Sequence, residues 1–366
     1  METSRMKSLS VIILIIALAI TMASCGNSNS NNSGNSNSSD KELNILCFQG
    51  YAEPTWVDPF EKETGIKVNA TYAGTVEEMF TKAAAGGTVY DIVSIDCGAV
   101  QRYYDAGLID PIDIKKLSNY NKLSTFFKDA DYKVINDAVY QIPICWGATI
   151  PVYNMDKLPD LPQTWQVMWD PQYKNQVSIA DEANNNVIIA AISLGFSDPY
   201  NLTDEQFGQV RERLTAIAEN CRTFTNGFDN EYQVLSSGET IISIGYDSML
   251  IMKLRDNDGM TVGRLMPKEG MNIWIDGWVL MKNAEHKDAA LKYIDWMISD
   301  SGQYELAKVV GFGAVTPAAK DAIDPDVARL TSYDNIDNVK VPLFVMQNPE
   351  NFEKRVELWD EIKAGL

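Results

Sequence analysis

The spacing of apolar and polar residues changes period repeatedly along the chain, and the changes mark out its elements. From Leu43, LNILCF is a short apolar run suited to a buried strand, and WVDPFEKETG then takes helical spacing and stops at Gly65. IKVNATYA predicts a second strand, VEEMFTKAAAGG a helix stopped by glycines, and YDIVSID a third strand. Strand, helix, strand, helix, strand is the pattern of a parallel sheet covered by helices, and such sheets bind ligands beyond the carboxyl ends of their strands. Phe48 to Tyr51 and Asp96 to Gly98 fall at two such ends.

QIPICWGATIPVYN (141–154) breaks the rhythm with an apolar, Pro- and Gly-punctuated extended segment that reads as a first crossing between two lobes. The next stretch predicts a helix around Trp165 and Trp169, a strand ending near Ala180 and a helix running to Gly195. LTDEQFGQVRERLTAIAEN is an amphipathic helix with Thr203 as its cap. GETIISIGYDS reads as a strand with a polar end, IWIDGW as the strand that returns the chain to the first lobe, and HKDAALKYIDWMISD as a helix. A body of about 325 residues from Lys41 is large for one core and predicts an α/β protein of two lobes. The expected division is 41–148 plus 275–322 for lobe 1 and 149–274 plus 323–366 for lobe 2, each a mainly parallel sheet flanked by helices.

The N-terminal residues change where that body is expected to work. Arg5 and Lys7 precede an apolar run from Val11 to about Met22, too short to span a bilayer comfortably, so residues 1–24 read as a secretory signal. Ala23 and Ser24 before Cys25 resemble the lipobox of bacterial lipoproteins, which implies cleavage before Cys25 and lipid on its thiol; Met6 offers an alternative start. GNSNSNNSGNSNSSD has no apolar residue and reads as a flexible tether, so that 25–40 joins a lipid anchor to an extracytoplasmic body near the cell membrane.

The formal charge is −19 and becomes −20 without residues 1–24, which carry Arg5, Lys7 and Glu2. So acidic a body argues against nucleic acid or anionic lipid and mildly favours a cationic partner, although simple solubility accounts for it equally well. His286 is the only histidine, and no CxxC occurs. A conventional zinc site, a Ser-His-Asp triad or a Cys-His pair therefore lacks its parts, and no cofactor, metal or catalytic residue is expected. Cys47, Cys97, Cys145 and Cys221 are widely spaced in apolar contexts, which allows one disulfide or buried free thiols.

One strand poses a chemical question. In IWIDGW, Trp274, Asp276 and Trp278 alternate and so share a face. Either the aspartate of a half-buried strand reaches water, or an aromatic box is closed by a carboxylate, an environment suited to an organic cation.

Several segments together resemble the periplasmic polyamine-binding proteins, the spermidine/putrescine receptors of bacterial ABC importers. FEKETGIKV, the YDIV strand, IPICWGAT, the SLG that closes a helix, GETIISIGYDS, MPKEG before IWIDGWVL and the closing EIKAGL fall in that family's order over Leu43 to Leu366. FEKETGIKV is shared by many solute-binding proteins, whereas MPKEG leading into a Trp-x-Asp strand is more specific. The resemblance implies a two-lobed periplasmic-binding-protein fold of type II-like topology with the ligand in the interlobe cleft. It further implies a small cationic ligand, putrescine or spermidine, permease subunits as partners, and a monomer.

It also implies site residues. Trp274 and Asp276 match the family's aromatic-plus-acid pair and Tyr51 its tyrosine; Phe48 and Tyr246 stand for tryptophans, Phe312 for a tyrosine and Glu182 for an amine-binding aspartate. The chain departs from the family at Asn185, where spermidine-specific members carry a second acid, and at Asp96-Cys97-Gly98, where a serine and often an aromatic stand. From the residues alone, Phe48 and Phe312 suit a core as well as a ligand wall, and Asp96 suits a helix cap. Trp146, Trp165 and Trp169 read as packing, and Asp181 and Asp247 as pointing away from their site neighbours. The function so implied is a substrate-binding lipoprotein of an ABC transporter. The alternatives are a receptor for another small organic solute, such as an amino acid derivative, a surface sensor or adhesin, and a secreted carboxylate-dependent hydrolase using pairs such as Glu182 and Asp276.

Overall fold

The computed structural model describes residues 41–322, 336–349 and 351–365. Cys25, the apolar run before it and the Ser/Asn-rich stretch lie outside them. The body is built on β1 (Glu42–Phe48), β2 (Lys67–Ala73), β3 (Ile92–Asp96), β4 (Gln141–Asn154), β5 (Val177–Ala180), β6 (Cys221–Thr225), β7 (Ile242–Tyr246) and β8 (Met271–Met281). They join one mixed sheet in the order β2-β1-β3-β8-β4-β7-β5-β6. β1, β2 and β3 are parallel at one end and β7, β5 and β6 at the other, while β8 and β4 run antiparallel to each other and to their neighbours. The βαβ set predicted from periodicity thus sits at one end of a sheet whose middle is the two long crossing strands, and a second parallel set, including β6, which the periodicity did not predict, sits at the other.

Both crossing strands are buried at every position. That is what near-continuous apolar runs covered on two faces require. Pro143 and the site share one irregularity: Asp276 of β8 opposes Cys145 of β4, but Gly277 opposes Pro143, which leaves Ile144 as an extra residue. A bulge accommodates a proline that cannot donate to the ladder, and it re-aims the side chains beside it.

The helices follow their local signals. α1 (Pro54–Thr64) starts on Pro54 and ends on Gly65 at φ 70°, and α2 (Val76–Ala84) is capped by Thr75 Oγ1, which accepts from Glu78 N. α3 (Ala183–Ser193) is buried along most of its length. α4 (Asp204–Asn220) opens with a full capping box between Thr203 and Gln206 and buries Phe207, Val210, Leu214 and Ile217.

Two expectations are corrected here. Trp165–Trp169 is a 3-10 turn, because Asp170 precedes Pro171 and is extended, which stops the helix. Trp165 is fully buried and donates from Nε1 to the Gly270 carbonyl, but Trp169 lies at the core edge under the Arg213 guanidinium, 3.7 Å from its ring centre. The strand read through GETIISIGYDS covers only Ile242–Tyr246, and a helix starts at once over Asp247–Asp258.

The C-terminal helix, Phe352–Ala364, is locked by a fully buried arginine. Arg355 donates to Asn184 Oδ1 at 3.0 Å and to the carbonyls of Pro199 and Tyr200 at 3.0 and 2.7 Å. Trp359 Nε1 and Lys363 Nζ both donate to Asp181, and Asp181, expected to point away from Glu182, instead lines the same cleft as Glu182, because this helix forms part of the cleft wall. His286 pairs through Nδ1 with buried Asp91 at 3.0 Å, a structural contact on the far side of the first sheet end. The four described cysteines are free thiols.

Candidate functional site

A single cleft of about 2110 Å³ runs across the carboxyl ends of the strands, and Phe48, Tyr51, Asp96, Glu182, Trp274, Asp276 and Phe312 all line it. Tyr246 ends β7 opposite Thr149, a cleft residue, and its side chain lies outside the described residues. Topology explains the assembly. Phe48 and Tyr51 follow β1, Asp96 ends β3, Glu182 follows β5 at the start of α3, and the Trp274–Asp276 segment is the middle of a crossing strand.

Asp276 is the floor of the cleft. It opposes Asp96 on one neighbouring strand and Cys145 on the other. Tyr51 donates its hydroxyl proton to Asp276 Oδ2 at 2.5 Å and lies 3.2 Å from Cys145 Sγ. Burial pushes the Asp276 carboxyl up to about 7; the Tyr51 bond opposes the rise and the neighbouring Asp96 adds to it. Asp96 is also raised by burial, against hydrogen bonds from backbone N–H groups. Its Oδ1 accepts from Gly98 N at 2.8 Å, so the capping role is real, and the carboxyl faces the cleft as well. Asp96 therefore caps the turn and lines the cleft at once.

The aromatic wall forms from distant parts of the chain. Trp274 and Phe312 meet edge to face at 4.8 Å, and Phe48 and Tyr51 do so at 6.0 Å. Space for the Trp274 indole exists because position 147 opposite it is glycine: a Cβ there would come within 2.2 Å of the ring. The other indole of the IWIDGW face does not join. Trp278 is fully buried against Tyr293, beyond the bulge that separates Asp276 from Gly277.

Across the cleft, Glu182 and Asn185 belong to a network absent from the sequence reading. Tyr200 Oη donates to Asn272 Oδ1 at 2.7 Å, Asn272 Nδ2 to Asn185 Oδ1 at 2.9 Å, and Asn185 Nδ2 to Glu182 Oε2 at 3.3 Å and Thr149 Oγ1 at 3.4 Å. Asn272 was legible in principle, because it continues the alternation of Trp274 and Asp276 one step toward the N-terminus. Tyr200 and Thr149 carried no local signal. Among the described residues, no group of three or more His, Cys, Asp or Glu gathers as metal ligands. No described helix is long and apolar enough to cross a membrane.

The site predicts its own pH dependence. An ammonium ligand requires Asp276 ionised, so affinity is flat above pH ~7 and falls about tenfold per unit below it, one proton being displaced per ligand. Tyr51→Phe removes the bond that favours the carboxylate and is expected to move this midpoint upward, with affinity at pH 7 reduced but restored at higher pH. Titration calorimetry across pH reads the midpoint, and an unchanged midpoint in the variant would refute the role given to Tyr51.

An α/β body of two sheet ends with an acidic, aromatic-walled cleft at the crossing strands defines a solute-binding protein. The chain belongs to the bacterial extracellular solute-binding proteins, whose family model matches residues 55–334. It is 29% identical over 282 residues to the spermidine/putrescine-binding periplasmic protein of Salmonella typhimurium, covering 76% of this chain and 79% of that one. It is 26% identical over 339 residues to the putrescine/cadaverine-binding protein of Pseudomonas aeruginosa, covering 88% and 94%. The spermidine/putrescine ABC transporter substrate-binding protein PotD of Streptococcus pneumoniae superposes with a TM-score of 0.79 at 23% identity, over 88% of this chain and 99% of that one. The two-lobed periplasmic-binding-protein fold read from the sequence is therefore the fold observed, and the protein is a receptor, not an enzyme.

Proposed function

We propose that this receptor captures a polyamine, putrescine or spermidine, and delivers it to the permease subunits of an ABC importer. The observation that carries the proposal is Asp276: a buried carboxyl on the cleft floor, oriented by Tyr51 and walled by Trp274 and Phe312. The names of the relatives in Salmonella and Pseudomonas support the same ligand class.

A primary ammonium leaving water needs a paired charge and satisfied donors. Asp276 and Asp96 supply both at one end, and Glu182 supplies an acceptor at the other. The methylenes between them gain roughly 0.8 kcal/mol each on burial, and a ring facing a cation adds about 0.5–2 kcal/mol. The cleft is larger than the roughly 300–1,000 Å³ of a ligand pocket. Capture therefore goes with approach of the two lobes, 41–148 plus 275–322 and 149–274 plus 323–366, hinged on the crossing strands. Cys25 carries the lipid anchor, 25–40 is the tether, and the body works outside the cytoplasmic membrane as a monomer.

Calorimetry on the full chain with putrescine, cadaverine, spermidine and spermine tests the ligand. Saturable binding of one of them is expected. If none binds at ~100 μM, the polyamine assignment falls while the solute-binding class stands.

A further inference from the structure

We infer that the end of the cleft opposite Asp276 is built for a carbamoyl or primary carboxamide group, so that the ligand it favours is an amine at one end and a neutral –C(=O)NH2 at the other. Given the amine receptor proposed above, the ammonium lies at Asp276 and Asp96, and the far end is decided by the Asn185 amide.

The hydrogen-bond chain sets which way that amide points. Tyr200 Oη lies 2.7 Å from Asn272 Oδ1 and 3.4 Å from the Phe344 carbonyl, so its single proton belongs to the short contact. Asn272, fully buried, is thereby fixed with Nδ2 toward Asn185, where it donates to Oδ1 at 2.9 Å. With its oxygen engaged, Asn185 turns its NH2 group to the cleft. The two N–H bonds leaving it, to Glu182 Oε2 at 3.3 Å and Thr149 Oγ1 at 3.4 Å, are long and readily exchanged for better ones.

A donor and an acceptor thus stand side by side on the cleft wall: Asn185 Nδ2 and Glu182 Oε2. An ammonium has donors only; it satisfies Glu182 and gives Asn185 nothing to donate to. One edge of a primary amide matches both, because its carbonyl oxygen and one N–H lie on the same side of the planar group. A trans secondary amide carries them on opposite sides and matches only one. A primary amine joined by a few methylenes to a ureido or carboxamide terminus meets the acid pair, the aromatic wall and this edge together.

The test is titration calorimetry on the full chain with putrescine, N-carbamoylputrescine, 5-aminopentanamide and N-acetylputrescine. N-carbamoylputrescine and 5-aminopentanamide are expected to bind at least as tightly as putrescine and about tenfold or more tighter than N-acetylputrescine. Asn185→Asp, which replaces the donor by an acceptor, is expected to lower affinity for the carbamoyl ligand about tenfold and raise it for putrescine. Putrescine binding well above both amides, or equal binding of the acetyl and carbamoyl compounds, would overturn the assignment and leave the amine receptor intact. Failure of all four to bind would overturn the amine receptor too. The four ligands on the unaltered protein decide the matter even if Asn185→Asp does not fold.

Discussion

Asp276→Asn is expected to abolish measurable amine binding and, at pH 8, to raise the thermal midpoint of the ligand-free protein by several degrees. The two effects have one cause. Burial raises the Asp276 carboxyl to about 7, well above the ~3.9 of an unfolded chain. Between those values the folded state holds a proton that the unfolded state has lost, so the contribution of this group to stability falls as pH rises from about 4 to about 7. Above pH 7 the folded protein carries an ionised, buried acid with no cation against it. Asparagine keeps an oxygen for the Tyr51 proton but never ionises. Holding the carboxyl ionised against that rise costs roughly 4 kcal/mol, of which the unmatched amide N–H groups of the variant take part back, so a net gain of about 1–3 kcal/mol is expected. Thermal unfolding at pH 8 and pH 4 checks it: the variant should be the more stable at pH 8 and lose that advantage at pH 4. Equal midpoints at both would mean that Asp276 is not held unionised by its surroundings. A ligand ammonium reverses the penalty, so the residue that weakens the empty protein is the one that grips the ligand.

Gly147→Ala is expected to cost both stability and affinity, although the substituted residue offers no group to a ligand. A Cβ at 147 would lie 2.2 and 2.6 Å from carbons of the Trp274 ring, and Phe312 already packs on that ring at 4.8 Å. The indole has to leave its place. Overpacking of this kind costs about 1–3 kcal/mol, and losing the ring from a cation lowers affinity about three- to thirtyfold. Calorimetry and thermal unfolding give the two numbers. The pH midpoint of binding should stay where it is, because the contacts of Asp276 are untouched. A moved midpoint would show that the damage reached the acid instead.

Much of this molecule is written locally. The βαβ alternation from Glu42 to Asp96, the glycine that ends α1, the Thr203 capping box and the two crossing strands follow from period, caps and breakers within a few residues of one another. The Trp274–Asp276 pair was legible because a strand places alternate residues on one face. The same rule extended two residues back would have found Asn272, and extended two residues forward it misleads, since the bulge at Pro143 comes between Asp276 and Trp278. The helix over Asp247–Asp258 escaped because its apolar positions follow a strand with no breaker between them.

By itself, then, the sequence determined most of the elements and their order, the acidic body and one acid set among aromatics, because each depends on residues adjacent in the chain. Tertiary structure alone decided that Asp96 stands opposite Asp276, that the Tyr51 hydroxyl meets both the Asp276 carboxyl and the Cys145 thiol, and that Tyr200 aims the Asn185 amide through Asn272. Those pairings join residues far apart in the chain through strand register and helix packing. Register depends on which strands become neighbours, and local periodicity carries no record of that choice.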